Sequence, residues 1–409
     1  MNSRRVAHRL PRPGDFTGLL RVNRPQLDRR RRRLATAQTI DDLRSVARRA
    51  VPRSVFDYVD GGAEDEISMA RARAAFERVA FHPRVLRDVS TVDLSTTVLG
   101  GPAALPLVLA PTGFTRMMHH EGEVAVARAA ARAGVPYALS TMGTTSPEDL
   151  RSAVPGARHW FQLYLWQDRS ASRDLVQRAA ECGYESLVLT VDTPIGGARL
   201  RDVRNGLTVP PALTARTLAD MAVHPRWWLN LLTTEPLSFA AMSNYDGTVA
   251  ELVARMFDPA ATLTDLEWLR EHWPHRLVVK GIQDVRDAVE IADRGVDALV
   301  VSNHGGRQLD RTVAPLELLP HVVDAVGDRC EVLVDSGVRS GADLAAARAL
   351  GASAAMIGRP YLYGLMAGGE AGVDRALEIL TAEYHRTLQL LGVARTDDLG
   401  AEHASLPPG

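Results

Sequence analysis

The stretch of sequence that decides the fold is LVVKGIQDVRDAVEIADRGVDALVVSNHGG, residues 277–306. It opens with the apolar run Leu277–Lys280, continues through the amphipathic segment Val285–Arg294 to Gly295, and reaches a second apolar run, Ala298–Ser302. Such an order predicts two parallel strands joined by a helix. Polar residues follow both runs, at what becomes one edge of a parallel sheet. The stretch therefore predicts a strand–helix–strand unit with a functional edge.

The same order repeats along the chain from about residue 105 onward, and the helical stretches end near glycines. Eight such units over about 250 residues predict a (β/α)8 TIM barrel, with segment 203–275 as a long insertion after the fourth strand. A doubly wound sheet is the alternative, but no G-x-G-x-x-G follows the first strand. The predicted strands are Leu107–Ala110, Tyr137–Ser140, Phe161–Leu165, Ser186–Val191, Leu277–Lys280, Ala298–Ser302, Glu331–Val334 and Ala354–Ile357.

Charge divides the chain into a basic arm and an acidic body. Lys and Arg (48) nearly balance Asp and Glu (49), yet residues 1–33 hold 11 arginines against two aspartates. We predict a basic arm over 1–38, a barrel domain over 39–400 that begins with a helical extension at Thr39, and a tail over 401–409. Anionic lipid and an acidic subunit surface are candidate partners of the arm. Nucleic acid is disfavoured, because no zinc or helix-turn-helix pattern follows.

Several features limit the class of protein. Cys182 and Cys330 lie far apart and outside any CxxC pattern, which argues against a disulfide framework and structural zinc and fits a reducing cytoplasm. His119-His120-Glu121 lacks the H-E-x-x-H spacing, so no metal site is predicted. Without an apolar run of about 18 residues or a secretory signal, membrane attachment would be peripheral, at the inner face of the cell membrane.

The predicted insertion contains Trp227 and Trp228 beside Arg226 and several leucines. Paired tryptophans near arginine and leucine can anchor a segment at a lipid interface. Packing over the barrel or against another subunit explains them equally well, and such packing is the more common arrangement in soluble chains. We therefore expect this segment to pack on protein.

Polar residues end nearly every predicted strand, which is where a barrel of this type builds its active site. Gln162 and Tyr164 are two residues apart and would share a face of the third strand, as would Thr190 and Asp192 on the fourth. Their convergence predicts one shared site. The full set is Pro111, Thr112, Gly113, Ser140, Gln162, Tyr164, Thr190, Asp192, Lys280, Ser302, His304 and Arg307.

The seventh and eighth strands end in Asp335-Ser336-Gly337-Val338-Arg339 and Gly358-Arg359. Glycines expose backbone N–H groups to an anion, the following helix N-terminus favours negative charge, and the two arginines supply bidentate donors. Loops after strands seven and eight commonly bind phosphate in these barrels. The pattern predicts a phosphate site.

Two residues are candidates for chemistry. His304 can act as a general base, with Asp192 holding the imidazole, and Gly305-Gly306 would let Arg307 turn back toward it. A nucleophilic triad is not predicted, because no G-x-S-x-G elbow is present. Lys280 is the single lysine beside 47 arginines. A compact ammonium is therefore needed where Lys280 lies, since arginine serves wherever only a solvated charge is wanted.

The run Ser302–Asp310 closely resembles the FMN-dependent L-2-hydroxy-acid oxidoreductases. The basic arm with Asn23-Arg24-Pro25-Gln26 looks most like the quinone-linked L-lactate dehydrogenases of actinobacteria. Further matches in chain order are Phe56-Asp57-Tyr58, Ala110-Pro111-Thr112, Phe161-Gln162-Leu163-Tyr164, Leu189–Pro194, Val279-Lys280-Gly281 and Gly358-Arg359. The resemblance runs from about residue 39 to about residue 391. It implies oxidation of a small L-2-hydroxy acid, such as L-lactate to pyruvate, in a protein that commonly forms a homotetramer.

The resemblance also implies roles for residues. His304 would remove a proton from the substrate, and Asp192 would stabilise the imidazolium. Arg307, Arg199 and Tyr58 would bind the substrate carboxylate, and Tyr164 its hydroxyl. FMN would be held by Pro111, Thr112, Gly113, Ser140, Gln162, Thr190, Lys280 and Ser302, and its phosphate by Asp335, Gly337, Arg339, Gly358 and Arg359. Lys280 would lie by flavin N1 and O2, where negative charge accumulates on reduction.

Three positions differ among members of the family. Ser336 stands where many members have glycine, which would alter one backbone contact to the phosphate. Gly113 stands where oxidases usually have alanine and several membrane-linked dehydrogenases have glycine, which favours a quinone as electron acceptor. Met142 replaces a large aromatic and leaves the substrate's side-chain pocket undetermined. The alternatives are an oxygen-using oxidase or lactate monooxygenase, and a barrel that binds a phosphorylated ligand without redox chemistry.

Overall fold

Eight parallel strands close into a barrel in chain order, with the eighth strand paired to the first. In this computed structural model, residues 28–206, 214–242, 245 and 249–407 are described, together with residues 10, 12 and 15. The (β/α)8 prediction is confirmed. The strands are β1 Leu107–Leu109, β2 Tyr137–Ser140, β3 His159–Leu163, β4 Ser186–Thr190, β5 Arg276–Ile282, β6 Ala298–Val301, β7 Glu331–Val334 and β8 Ala354–Ile357.

The third strand departs from the prediction by two residues at each end. It begins at His159 and ends at Leu163, so Tyr164 follows the strand rather than sharing a face with Gln162. The apolar run continues to Trp166, but the backbone N–H of Trp166 donates to Ser172 Oγ at 3.0 Å instead of to a neighbouring strand. The sequence therefore stays apolar beyond the point where the hydrogen bonds between strands end. In the same way β4 ends at Thr190, two residues before Asp192.

Glycines end the helices between strands, as predicted. Gly134, Gly183, Gly295 and Gly351 all have positive φ values, between 66° and 102°, a conformation that glycine adopts without a steric penalty. The helical extension begins at Thr39, whose side chain accepts from the backbone N–H of Asp42 in a capping box. Local sequence signals therefore set both ends of these elements.

Helices surround the barrel and extend it at both ends of the chain. Four of the described helices precede β1, and the long helix Glu370–Leu391 follows the barrel and completes the outer layer. The described helices of five or more residues are Arg29–Thr36, Ile40–Ala50, Arg53–Asp60, Ile67–Glu77, Gly122–Ala133, Pro147–Ala153, Arg169–Glu181, Leu200–Arg204, Ala215–Ala222, Pro225–Leu232, Val249–Met256, Leu263–His272, Val285–Ala292, Pro315–Val326, Gly341–Ala349, Arg359–Gly368 and Glu370–Leu391.

The segment between β4 and β5 is long and helical. Its last helix, Leu263–His272, buries Leu266 and Leu269 in the core, in the place of the helix that joins two barrel strands. Trp227 packs against the core as expected, and its Nε1 donates to the carbonyl of Met117 at 2.8 Å. Residues 207–213, 243–244 and 246–248 of this segment, and most of the predicted basic arm, lie outside the described residues.

The barrel interior is filled by apolar side chains and closed at one end by a short hairpin. Alternate strand residues such as Val188, Val278 and Val300 fill the interior together with Val98 and Leu99 from a short hairpin that precedes β1. Because this hairpin covers the amino ends of the strands, the carboxyl ends are left to build a site.

Candidate active site

One cavity at the carboxyl ends of the strands gathers nearly all the residues that the sequence singled out. Asp192 and Ser302 do not line it, but they contact His304 and Lys280, which do. The predicted residues that line the cavity are Tyr58, Pro111, Thr112, Gly113, Ser140, Gln162, Tyr164, Thr190, Arg199, Lys280, His304, Arg307, Asp335, Gly337, Arg339, Gly358 and Arg359. The convergence expected from the strand ends is therefore a feature of the structure.

His304 and Asp192 form a hydrogen-bonded pair at the edge of this cavity. The imidazole Nδ1 lies 2.9 Å from Asp192 Oδ1. Burial raises the pKa of Asp192, but the nearby His304 outweighs that effect and the pKa lies below its usual value. Asp192 is therefore a carboxylate that fixes Nδ1 as the donor, which leaves Nε2 as the nitrogen able to accept a proton.

The backbone of His304 is held in a tight turn. Its φ is 57°, an uncommon conformation for a residue with a side chain, and its N–H donates to Ser302 Oγ at 3.0 Å. Gly306 follows with φ 71°, and a Cβ there would lie 2.7 Å from the backbone nitrogen of Met69. Glycine is therefore required at 306 for the turn that carries His304 and Arg307.

Lys280 is buried at the end of β5 with two partners. Its Nζ lies 2.9 Å from Asp335 Oδ2 and 2.9 Å from Ser302 Oγ, and the residue is 4% exposed. Burial lowers the pKa of Lys280, but the charges of Asp335 and Asp192 outweigh burial, and the pKa lies above its usual value. The site therefore contains a buried, permanently charged ammonium at neutral pH.

Asp335 and Ser336 lie in the turn after β7, and their side chains are hydrogen-bonded to each other. The Asp335 carboxylate accepts from Lys280 and from Ser336 Oγ, so contact between Asp335 and an anionic ligand would have to come from its backbone. Ser336 has φ 70°, the left-handed region that favours glycine. Its Oγ also accepts from the N–H of Gly305 at 2.9 Å, which ties this loop to the His304 turn. The Ser336 hydroxyl thus makes two hydrogen bonds that a glycine at this position could not make.

Tyr58 brings the helical extension to the cavity and lies between two arginines. The guanidinium carbon of Arg307 is 5.0 Å from the centre of the Tyr58 ring, and that of Arg199 is 5.7 Å from it. Burial and the neighbouring Arg199 lower the pKa of Arg307 to about 10, so Arg307 stays charged at neutral pH. Burial and the charge of Asp192 raise the pKa of Tyr164, which keeps its hydroxyl protonated. This part of the cavity suits a small anion with a hydrogen-bonding oxygen.

The loops after β7 and β8 supply a second cationic region. Arg359 is half-buried, and its guanidinium donates to the carbonyls of Val59 and Gly61 at 2.9 and 2.8 Å. Burial lowers its pKa. Arg339 lines the same region and lies 3.4 Å from Asp41. The two arginines and the glycines beside them match the predicted phosphate site in composition and place.

Two buried polar atoms in the cavity wall have no protein partner within the described part of the chain. They are Gln162 Nε2 and Thr190 Oγ1. Because buried donors are normally satisfied, they point to a polar ligand with carbonyl or ring-nitrogen acceptors. A flavin ring with its phosphate at Arg339 and Arg359 fits this donor set.

Sequence reasoning missed one wall of the cavity. Met69, Ala72 and Arg73 come from the helix Ile67–Glu77, which lies before the barrel. Arg73 is held by Asp343 through bonds of 2.6 and 2.9 Å. Nothing distinguishes Arg73 in the sequence from the other arginines, and its partner is 270 residues away.

Outside the cavity, His119, His120 and Glu121 place potential metal-ligand atoms within 4.8 Å of one another. The Glu121 carboxylate is already engaged, because it accepts from the backbone N–H of Glu370 at 2.6 Å. The cluster therefore resembles a helix cap more than a dedicated metal centre.

Comparison with known proteins agrees with this geometry. The family described as FMN-dependent dehydrogenase matches residues 47–406. A protein of Mycobacterium tuberculosis, provisionally named as an L-lactate dehydrogenase, is 57% identical over 400 residues, which are 98% of this chain and 97% of that protein. A 4-hydroxymandelate oxidase of Amycolatopsis orientalis is 43% identical over 367 residues, 90% of this chain and 97% of the oxidase.

A solved structure extends the likeness to three dimensions. The crystal structure of a monotopic membrane protein, (S)-mandelate dehydrogenase, superimposes with a TM-score of 0.87 at 38% identity, and the match covers 91% of this chain and all of that one. The barrel, the gathered strand-end residues and the family match over most of the chain lead to one assignment: this chain belongs to the FMN-dependent dehydrogenase family.

Proposed function

We propose that this protein oxidises a short L-2-hydroxy acid, L-lactate before others, to the corresponding 2-oxo acid, with His304 as the base. The observation that carries the proposal is the His304–Asp192 pair, 2.9 Å apart, in a cavity that also holds Arg307, Arg199 and Tyr164. Removal of a proton from a hydroxy acid needs a base close to the groups that bind the carboxylate, and two arginines beside His304 can bind it.

Each residue has a task that follows from its surroundings. Arg307 and Arg199 bind the substrate carboxylate, with Tyr58 between them. The protonated hydroxyl of Tyr164 donates to the substrate oxygen at C2. His304 takes the proton at Nε2, and Asp192 stabilises the charge that the imidazole gains.

FMN, when bound, supplies the acceptor of the two electrons that leave the hydroxy acid. We propose that Gln162, Thr190 and Lys280 hold its ring, and that the region of Arg339 and Arg359 holds its phosphate. The buried ammonium of Lys280 would favour the reduced ring, which carries more negative charge. The remaining proposed flavin contacts are Pro111, Thr112, Gly113, Ser140, Ser302, Asp335, Gly337 and Gly358.

L-Lactate is the first candidate substrate because of the similarity to the Mycobacterium tuberculosis protein. Aromatic hydroxy acids are the second, because the A. orientalis oxidase and the mandelate dehydrogenase are named for such substrates. Met142 lines the cavity near Gly113 and, as a flexible thioether, fits either size of side chain.

Flavin reduction tests the function directly. The purified protein should be yellow, and anaerobic addition of L-lactate should bleach it; parallel samples receive L-mandelate and glycolate. Absence of bleaching with every short L-2-hydroxy acid would contradict the proposal. Failure to retain flavin in the presence of added FMN would favour the barrel that binds a phosphorylated ligand without redox chemistry.

A quinone is the proposed final acceptor, and molecular oxygen is the alternative. Gly113 supports the quinone, because it stands where several membrane-linked dehydrogenases of the family have glycine and oxidases usually have alanine. A Cβ at 113 would lie 2.8 Å from Met142 Cβ, so alanine would disturb this packing. The oxidase relative supports oxygen. Reoxidation of substrate-reduced protein by air or by a soluble quinone, with assays for hydrogen peroxide and acetate, separates dehydrogenase, oxidase and monooxygenase.

A peripheral contact with a membrane belongs to the same proposal. No helix within the described ranges combines the length and apolar character needed to cross a bilayer. The helices of the insertion nevertheless expose Leu218, Val223, Leu229 and Leu232, by 52%, 71%, 47% and 74%. A quinone acceptor is itself lipid-soluble, so a shallow contact of this face with a membrane would place the protein beside its acceptor.

A further inference from the structure

A second cleft lies behind the active-site cavity, between the insertion helix Pro225–Leu232 and the helix Ile40–Ala50. We propose that this cleft, called the acceptor cleft below, binds the quinone that takes electrons from the reduced flavin. The inference rests on the proposed function and adds the place where its second substrate binds.

The acceptor cleft and the active-site cavity share a wall. Met118 is 1% exposed and lines both. Four residues earlier in the same loop, Phe114 donates its N–H to the carbonyl of Met142, and Gly113 and Met142 both line the active-site cavity. A molecule in the cleft is thus separated from the cavity by little more than the thickness of one buried side chain. Such packed contact is the arrangement that electron transfer between two bound groups requires.

The lining of the cleft suits a quinone in both of its parts. Trp227, Leu231, Val46 and Met366 provide flat and apolar surface for a ring and the start of an isoprenoid chain. Trp227 is fixed in place by its bond to the Met117 carbonyl. Its apolar neighbours would lose contact with water when a quinone binds, which supplies most of the binding free energy.

Polar groups in the cleft can pair with quinone carbonyls. His120 Nδ1 is buried and has no hydrogen-bond partner within the described residues, so a ligand that offers an acceptor would satisfy it in the tautomer that carries its hydrogen on Nδ1. Asn230 also lines the cleft and adds an amide donor. A quinone has two carbonyl oxygens on its ring, and His120 and Asn230 offer one donor each.

The cleft also opens toward the apolar face of the insertion. Val223 lines it and is 71% exposed, and Leu231 of the cleft is next to the exposed Leu232. A long isoprenoid tail could therefore leave the cleft along a surface that is already apolar. Arg49 and Arg226 at the rim would equally suit the headgroup of an anionic lipid, but the shared wall with the active site favours a redox partner.

The electrons and protons balance. Oxidation of one 2-hydroxy acid to its 2-oxo acid releases two electrons and two protons. Reduction of one quinone to the hydroquinone consumes two electrons and two protons. Electrons would pass between the two sites by way of the bound flavin, so no further oxidant or reductant is needed.

The test separates the second half-reaction from the first. Leu231→Trp fills the acceptor cleft, and Leu229→Trp places the same side chain on the exposed face of the same helix as a matched control. Each protein is reduced anaerobically with L-lactate and, separately, with dithionite. Stopped-flow absorbance then follows reoxidation by a water-soluble short-chain ubiquinone or by ferricyanide.

We expect Leu231→Trp to slow reoxidation by the ubiquinone at least tenfold, with reduction by L-lactate and reoxidation by ferricyanide within twofold of the wild type. Leu229→Trp should match the wild type in all three. Asn230→Trp serves as a second blocking variant if Leu231→Trp loses flavin. An unchanged ubiquinone rate in the blocking variants would overturn the acceptor cleft, as would an equal loss with ferricyanide.

The experiment also distinguishes failure of the proposed function from failure of the quinone assignment. If L-lactate and other hydroxy acids fail to bleach the wild type, the proposed function fails, but the dithionite-reduced protein still reports on the acceptor cleft. If the blocking variants lose binding to anionic phospholipid vesicles while their ubiquinone rates are unchanged, the cleft binds lipid headgroups, and the quinone assignment is wrong.

Discussion

His304 is the residue on which the proposed chemistry depends most. We expect His304→Gln to keep FMN bound, because glutamine can donate to Asp192 as the imidazole does, but to lack a nitrogen that takes up a proton. General-base catalysis typically contributes about 10²- to 10⁴-fold, so flavin reduction should slow by about that factor. Anaerobic stopped-flow reduction by L-lactate measures it, with flavin content as the control. A variant that is reduced at the wild-type rate would exclude His304 as the base.

Lys280 illustrates why charge alone does not define a residue's role. Its ammonium fits between Asp335 Oδ2 and Ser302 Oγ, each at 2.9 Å, in a space with almost no exposure. A guanidinium is larger and planar, so Lys280→Arg would have to displace one of these partners. We expect at least tenfold slower flavin reduction, measured as above. Arg32→Lys, the converse change at an exposed residue, should leave the rate unaltered, and equal effects of the two would refute the assignment.

Among the elements, the short helix Leu200–Arg204 depends on ion pairs for its position. Arg201 donates to Asp60 at 3.1 Å and to Glu66, which joins this helix to the helical extension that carries Tyr58. Arg199 lies directly before the helix. Arg201 therefore holds together two elements that carry residues proposed to bind the substrate.

We expect Arg201→Met to raise KM for L-lactate about tenfold, equivalent to about 1.4 kcal/mol of binding, with kcat changed much less. Asp60 keeps its bonds to Arg44 and Tyr363 in this variant, so the fold should persist. Arg204→Met removes an exposed arginine from the same helix and is the matched control. A fall in kcat at constant KM would show that Arg201 does not act through substrate positioning.

Asp60 also predicts how stability depends on pH. Burial raises its pKa, but hydrogen bonds from Arg44 and Tyr363 outweigh burial and lower it to about 2. Because the folded pKa lies below the unfolded value, the charged form stabilises the fold above about pH 4, and this contribution is lost as the pH falls toward 2. From the shift, it amounts to about 2 kcal/mol.

Urea unfolding of Asp60→Asn and wild type should therefore differ by about 2 kcal/mol at pH 7, and by about half as much at pH 3. Asp328→Asn, at a highly exposed aspartate, should match the wild type at both values. A difference between Asp60→Asn and wild type that stays constant with pH would mean that the charge of Asp60 is not what stabilises this network.

The Asp60 network also shows which elements a single sequence can predict. Strands, helices and their glycine ends follow from patterns within about 15 residues, and polar residues at strand ends predict the gathered site because a parallel barrel has one carboxyl end. The role of Asp60 cannot be predicted from such patterns, because its partners lie far away in the sequence. Arg44, Arg201 and Tyr363 are 16, 141 and 303 residues from it. The end of β3 was misplaced because Tyr164 and Leu165 stay apolar and buried after the ladder stops.

The whole molecule combines a closed barrel with an asymmetric surface. The charge of the basic arm opposes that of the acidic body, and three exposed leucines, Leu218, Leu229 and Leu232, lie on the insertion that forms part of the acceptor cleft. A homotetramer, as the family resemblance implies, stays a prediction that sedimentation velocity would check. The surface predicts more directly that one face of the molecule meets a membrane.

We expect the double variant Leu229→Glu/Leu232→Glu to bind vesicles of mixed neutral and anionic phospholipid at least tenfold more weakly than the wild type in a flotation assay. Each leucine forfeits apolar burial, worth about 1.5–3 kcal/mol when complete, and each glutamate adds repulsion from the anionic surface. Leu390→Glu, at an equally exposed leucine on the C-terminal helix, is the control. Reduction by L-lactate should be unaffected in all three proteins. Equal vesicle binding by the double variant and the Leu390→Glu control would remove the insertion as the membrane-facing surface and leave the basic arm as the remaining candidate.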